Sequence, residues 1–221
     1  MRFCVTRIWH LKWINRCPLW GILIIGIFCT LDIYPTQSKA SPEDVHIERI
    51  ESYLAKIETI RARFNQVSPD GSVSQGLFYL RRPGRFRFEY DSPTPLLVVG
   101  DSFWIVFEDR ELGQLERIPM SSTPLSILTQ DNIDFRSESV AATLRIEGGL
   151  MWLTLHERDD EEQGSLTLTF DQSPTRLRQW IITDSQGLTT EITLSQTETN
   201  VPLDPKLFVY NDSQNENLLR K

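Results

Sequence analysis

Cysteine is absent from residue 30 onward: Cys4, Cys17 and Cys29 are the three that the chain holds. Without the first forty residues, no disulfide, catalytic thiol or cysteine metal site is possible. Long hydrophobic runs are missing as well. Leu19 to Leu31 is a thirteen-residue stretch without charge, and a spanning helix needs about 20 apolar residues. Histidine is scarce. His46 and His156 are the two beyond residue 40, and neither has a second histidine at i+4, so no zinc-type pair is present. No glycine-rich phosphate loop occurs. Gly100-Asp101-Ser102 resembles the start of a nucleophile elbow, but Trp104 stands where the second glycine belongs. Basic charge is in deficit: 23 Lys+Arg face 30 Asp+Glu, a net charge of −7. That balance argues against a nucleic-acid partner.

The leader is what the chain has first. Arg2, Arg7, Lys12 and Arg16 precede the apolar run, and Ser38-Lys39-Ala40 follows it with small residues at −3 and −1. A basic start, a short apolar run and a small-residue site form a cleavable secretory signal. The expected cut lies between Ala40 and Ser41. An uncleaved membrane anchor is the alternative, because the basic start is long. A lipidated cysteine would need a small residue before it, and Cys29 follows the bulky Phe28. The leader holds five basic residues and one acid, so residues 41–221 carry 18 basic against 29 acidic, a net −11.

One domain is expected over residues 41–211, with a frayed polar tail over 212–221. Ser41-Pro42-Glu43-Asp44 starts a helix, and Ile47, Ile50, Leu54 and Ile57 form one stripe. The stripe predicts a helix ending near Ile60. Then the period becomes two. Phe86, Phe88 and Tyr90 alternate with Arg85, Arg87, Glu89 and Asp91. Leu77–Leu80, Leu96–Val99 and Phe103–Phe107 are apolar on both faces. Turn signals at Pro83-Gly84, Gly100-Asp101, Gly148-Gly149 and Asp184–Gly187 separate the strands. Nine to eleven antiparallel strands follow, in a strongly curved or partly closed sheet. Thr123–Leu128 reads as a short N-capped helix in its middle. Asp159–Glu162 reads as a solvated hairpin tip, because it lacks the spaced ligands and glycine of a calcium loop.

No residue pattern demands an enzyme, a metal or a cofactor. The surplus is apolar: Phe64, Phe78, Phe86, Phe88, Tyr90, Phe103, Trp104, Phe107 and Trp152 fall mostly in the sheet. Most must fill a core. One long and one short helix are nonetheless a thin cover for so many strands, so a cavity is expected.

Phe64-Asn65-Gln66, then Gln75-Gly76 through Arg82-Pro83-Gly84-Arg85-Phe86-Arg87-Phe88-Glu89-Tyr90, resembles the outer-membrane lipoprotein carrier protein family. Gly100-Asp101 before Phe103-Trp104, the Thr123-Pro124-Leu125 helix, and Asp184-Ser185-Gln186-Gly187 with Thr190 continue the likeness in order. The resemblance implies a mainly β fold: an incomplete antiparallel barrel with helices as a lid over a hydrophobic cavity. It implies a monomeric periplasmic chaperone without enzymatic activity. Such a chaperone takes acylated lipoproteins from an inner-membrane ABC transporter to the outer membrane, in some bacteria through an acceptor lipoprotein. Two other roles share the fold: the acceptor itself, and a lipid-binding or sensing module. The acyl-chain cavity would be lined by Phe64, Phe78, Phe86, Phe88, Tyr90, Trp104, Leu125 and Leu128. Arg82 would be the lid contact, although the neighbouring Arg81 is a departure from the family pattern.

Overall fold

Ser41 opens the first helix as a capping box. Its hydroxyl accepts the Asp44 N–H at 3.1 Å, and the Asp44 carboxylate accepts the Ser41 N–H at 2.9 Å. The same backbone bond from Ser41 holds the Asp44 carboxyl below its ordinary range. Helix α1 runs Pro42–Ala55 and buries Ile47, Ile50 and Leu54. It stops short of the expected end near Ile60. Lys56 caps it, and Thr59 already begins strand β1, Thr59–Val67. Ile57 is buried all the same, just past the helix. The β-branched Thr59 and Ile60 suit a strand better than a final helical turn, and β1 gains a partner on each side.

The computed structural model describes residues 41–130, 132–159 and 164–210. The leader, most of the acidic tip and the polar tail fall outside these residues. Ten further strands follow β1: β2 Val73–Arg81, β3 Arg85–Tyr90, β4 Leu96–Asp101, β5 Trp104–Asp109 and β6 Gln114–Pro119, then β7 Val140–Glu147, β8 Leu150–Glu157, β9 Ser165–Gln172, β10 Thr175–Thr183 and β11 Thr189–Thr199. They form one 11-stranded sheet in the order β6-β5-β4-β3-β2-β1-β11-β10-β9-β8-β7. Every neighbouring pair is antiparallel. The fold is mainly β, as expected, and the sheet is not closed. Its two edges, β6 and β7, are consecutive in the chain. The segment between them crosses from one edge to the other. It carries a 3₁₀ turn, Met120–Ser122, and helix α2, Leu125–Thr129.

The expected N-cap of α2 is absent. Pro124 holds that place, and the Thr123 hydroxyl donates backward to the Met120 carbonyl at 3.3 Å. Five residues without a side-chain cap have no stability of their own. Buried Leu125, Ile127 and Leu128 hold the helix against the sheet.

Curling of the sheet follows from one distance. Phe88 on β3 and Trp180 on β10 lie four strand positions apart, yet their rings are 6.3 Å apart. A flat sheet would separate them by about 19 Å at ~4.8 Å per strand. On the inner face, Met151, Leu153, Leu155, Leu166, Leu168 and Phe170 are fully buried, a gain of about 1.5–3 kcal/mol each. Helix α1 covers this half. Tyr53 meets Phe170 edge-on at 6.0 Å, and its hydroxyl accepts the Leu177 N–H at 3.2 Å. The outer face of β3 and β4 has its own cover. A 3₁₀ turn, Pro205–Phe208, buries Phe208 there, and Arg87 Nη1 donates to the Leu207 carbonyl at 3.3 Å. That cover explains why β4 is apolar on both faces.

Candidate functional site

Helix α1 fills only one half of the curl. Over β3, β4 and β5 the inner face has α2 alone, and a cavity of about 640 Å³ remains. That volume is within the usual range for a ligand pocket, about 300–1,000 Å³. Its near wall is made by period-two positions: Phe86, Phe88 and Tyr90 on β3, Leu96 and Val98 on β4, Ile105 and Phe107 on β5. Trp180, Ile182 and Ile192 form the far wall, and Thr123 and Leu125 the roof.

Rings keep the wall from collapsing. Phe88 lies 4.7 Å from Phe78, 5.2 Å from Phe64 and 5.9 Å from Phe86, mostly edge to face. Two glycines make room. Gly100 pairs with Phe86, and a Cβ there would fall 2.5 Å from a carbon of that ring. Gly76 pairs with Phe64, where a Cβ would fall 2.7 Å from the ring.

The lining also holds polar groups. The Tyr90 hydroxyl donates to Gln66 Oε1 at 2.7 Å. Burial pushes that phenol up to about 12. The charged side chains lining the cavity are Glu108, Asp109 and Glu116, all acidic. Glu108 faces Arg110 at 3.4 Å. Among the described residues no group of three His, Cys, Asp or Glu side chains could hold a metal ion.

Of the residues expected at the cavity, Phe86, Phe88, Tyr90 and Leu125 line it. Phe64 and Phe78 stand behind the wall, in ring contact with Phe88. Leu128 is buried in the core. Trp104 is elsewhere: it lines an outer groove with Val106, Arg117 and Phe208 and is 48% exposed. It precedes Ile105, which faces inward, so the strand period turns Trp104 outward. Arg82 sits in the β2–β3 turn, half-buried, its N–H donating to the Glu58 carbonyl at 2.9 Å. In the same turn the Gly84 N–H donates to the Thr129 carbonyl at 2.8 Å, at the end of α2. His156 Nδ1 lies 3.3 Å from the Glu157 carbonyl, away from the cavity.

Sequence reasoning missed Leu96, Val98, Ile105, Trp180, Ile182 and Ile192. Val98 and Ile105 carry a usable signal. Val98 pairs with Phe88, and Ile105 with Gly100 opposite Phe86, so hairpin register places them beside the known aromatics. Trp180 carries none, since only the curl brings β10 to β3.

Known proteins share this chain's pattern. It is 29% identical over 191 residues to an outer-membrane lipoprotein carrier protein of Methylococcus capsulatus, covering 80% of this chain and 86% of that one. A protein of the same name from Pseudomonas aeruginosa is 30% identical over 174 residues, 74% of this chain and 82% of the other. An uncharacterized protein of Rickettsia prowazekii is 25% identical over 124 residues, 56% of this chain; the match spans 58% of that relative's length. The profile of the family described as outer membrane lipoprotein carrier protein LolA matches residues 55–211. That span takes in every strand and the whole cavity wall, and the chain belongs to the LolA family.

Proposed function

We propose that this protein is a periplasmic chaperone that shields the acyl chains of lipoproteins and carries them from the inner to the outer membrane. The observation that carries the reading is the apolar cavity over β3–β5, left open where α1 does not reach. Family membership supports it, as do the names of the relatives. No covalent step or cofactor is required. Each buried methylene is worth about 0.8 kcal/mol, so three acyl chains of about fifteen methylenes cost roughly 36 kcal/mol to expose. Such cargo does not cross water alone. A ring-lined cavity covers the chains without shaping itself to them.

In this reading the cargo is an acylated lipoprotein and the donor an inner-membrane ABC transporter. A lipoprotein at the outer membrane is the acceptor where one exists. The carrier acts as a monomer, and Arg82 helps hold α2 closed from the β2–β3 turn. Its net negative charge keeps it off anionic lipid surfaces.

The test uses inner-membrane vesicles, the transporter and ATP, with release of soluble lipoprotein as the readout. Native protein is expected to co-purify with cargo. Phe107→Glu places a charge on the cavity wall at a position already 38% exposed, so folding tolerates it. Cargo capture should fall at least about tenfold, because an unpaired charge against acyl chains costs more than the ~1.4 kcal/mol that a tenfold change needs. Leu112→Glu, at a residue 66% exposed outside the cavity lining, should leave capture unchanged. Absence of any soluble lipoprotein with native protein refutes the reading.

A further inference from the structure

The cavity roof is held at few points. Its segment leaves β6 with the Met120 N–H donating to the Phe103 carbonyl at 2.8 Å. The Gly84 N–H ties the end of α2 to the β2–β3 turn. Beyond α2, among the described residues, two side chains grip the segment: Arg158 Nε donates to the Glu138 carbonyl at 2.9 Å where the segment enters β7, and Glu51 holds it further back. Glu51 of α1 accepts the Phe135 N–H at 2.8 Å on one carboxylate oxygen and Arg136 Nη2 at 2.9 Å on the other.

The place of this carboxylate is unusual. Glu51 is 8% exposed and adjoins Ile50 on the buried side of α1. A charge there costs free energy unless its oxygens are bonded. Both are, and both partners belong to the crossing segment. Helix α1 is itself fastened to the far wall: the Leu144 N–H donates to Glu43 Oε1 at 3.1 Å, and the Leu177 N–H to the Tyr53 hydroxyl. The roof therefore hangs between two walls. Gly84 fixes it to the β3 side; Glu51, through α1, fixes its middle to the β7–β10 side, and Arg158 fixes its end there directly.

We infer that Glu51 is the positioning residue of the roof, a latch that sets how readily the cavity opens to an acyl chain. The inference rests on reading the cavity as the acyl-chain site. Glu51 touches no cargo; it acts through Phe135 and Arg136. Phe135 is fully buried, so the bond to its N–H anchors the segment at a fixed point. Arg136 is half exposed and adds the part that a partner or cargo could pull away.

The experiment measures release of a dansyl-labelled palmitoyl probe from the purified protein into excess phosphatidylcholine vesicles by stopped flow. Amide exchange over residues 132–137 is followed alongside. Glu51→Ala removes both bonds and should speed release by roughly tenfold or more, the factor expected for losing a charge-assisted hydrogen bond. Glu51→Gln keeps an acceptor for the Phe135 N–H and loses the ion pair, so its effect should be smaller. Arg136→Ala should match Glu51→Gln, and exchange at Phe135 should rise most in Glu51→Ala. Should Glu51→Ala not fold, Glu51→Gln and Arg136→Ala carry the test. Release rates equal to native in the folded variants overturn the latch, as does lowered thermal stability with unchanged release. If native protein takes up no probe, the cavity reading fails by itself. Protection at Phe135 then decides the latch: unchanged in the variants, it refutes it.

Discussion

Tyr90 shows what a single position can report. It lies on the cavity wall with its hydroxyl bonded to Gln66, and burial raises its pKa to about 12 from an ordinary 10.0. The unfolded phenol ionises near 10. Between about pH 10 and 12 the folded state therefore keeps a proton that the unfolded state has lost. The stability due to the neutral buried phenol is complete below pH 10 and disappears as pH rises through 12. A urea midpoint should fall across that window, and Tyr90→Phe should flatten the fall. Absorbance titration at 295 nm should show the Tyr90 phenol ionising late, and the late step should be missing in Tyr90→Phe. Tyr90 was legible in the sequence because β3 alternates cleanly with charged neighbours. Trp104 was not. Phe103 through Phe107 is apolar throughout, so its own composition does not reveal which residues face inward. The answer comes from register: Ile105 pairs with Gly100, which pairs with Phe86.

Among elements, α2 is the most dependent on its surroundings. Leu125 and Leu128 are both buried, but Leu125 borders the cavity and Leu128 packs into the core. Leu128→Ala is expected to cost about 2–5 kcal/mol in urea unfolding, from lost transfer energy plus a new void. Leu125→Ala should cost less, because space beside it is already unfilled and fewer contacts are lost. It should instead weaken binding of an apolar probe. The sequence announced this helix through Thr123-Pro124, yet misplaced its start and supposed a hydroxyl cap. Pro124 occupies the cap position, so burial alone holds the helix. Helix α1 was readable at its start, where Ser41 and Asp44 sit three residues apart, and misread at its end. Its apolar spacing runs on through Ile57, and only strand pairing stops it.

For the molecule as a whole, the sheet has a second packed face, away from the core and the cavity. Phe208 is buried on the outer face, far along the chain from the strands it covers. Phe208→Ala should destabilise the protein by about 3–5 kcal/mol while leaving probe affinity unchanged, because the cavity is lined from the other side. Denaturation and fluorescence titration of the same variant check both halves. Weakened probe binding without loss of stability would contradict this separation.

Local pattern accounts for much of this protein. Serine capping, the change of period from 3.6 to two, and the turn residues all involve near neighbours along the chain, so strand number and class were readable. The ordered family blocks were readable for the same reason. Contacts between distant segments were not. That Trp180 faces Phe88, that β6 and β7 end as opposite edges, and that Glu51 grips Phe135 and Arg136 all depend on the curl of the sheet. Curvature arises from twist and packing summed over eleven strands. No window of the sequence contains that sum, and it decided which apolar residues fill the core and which surround an empty space.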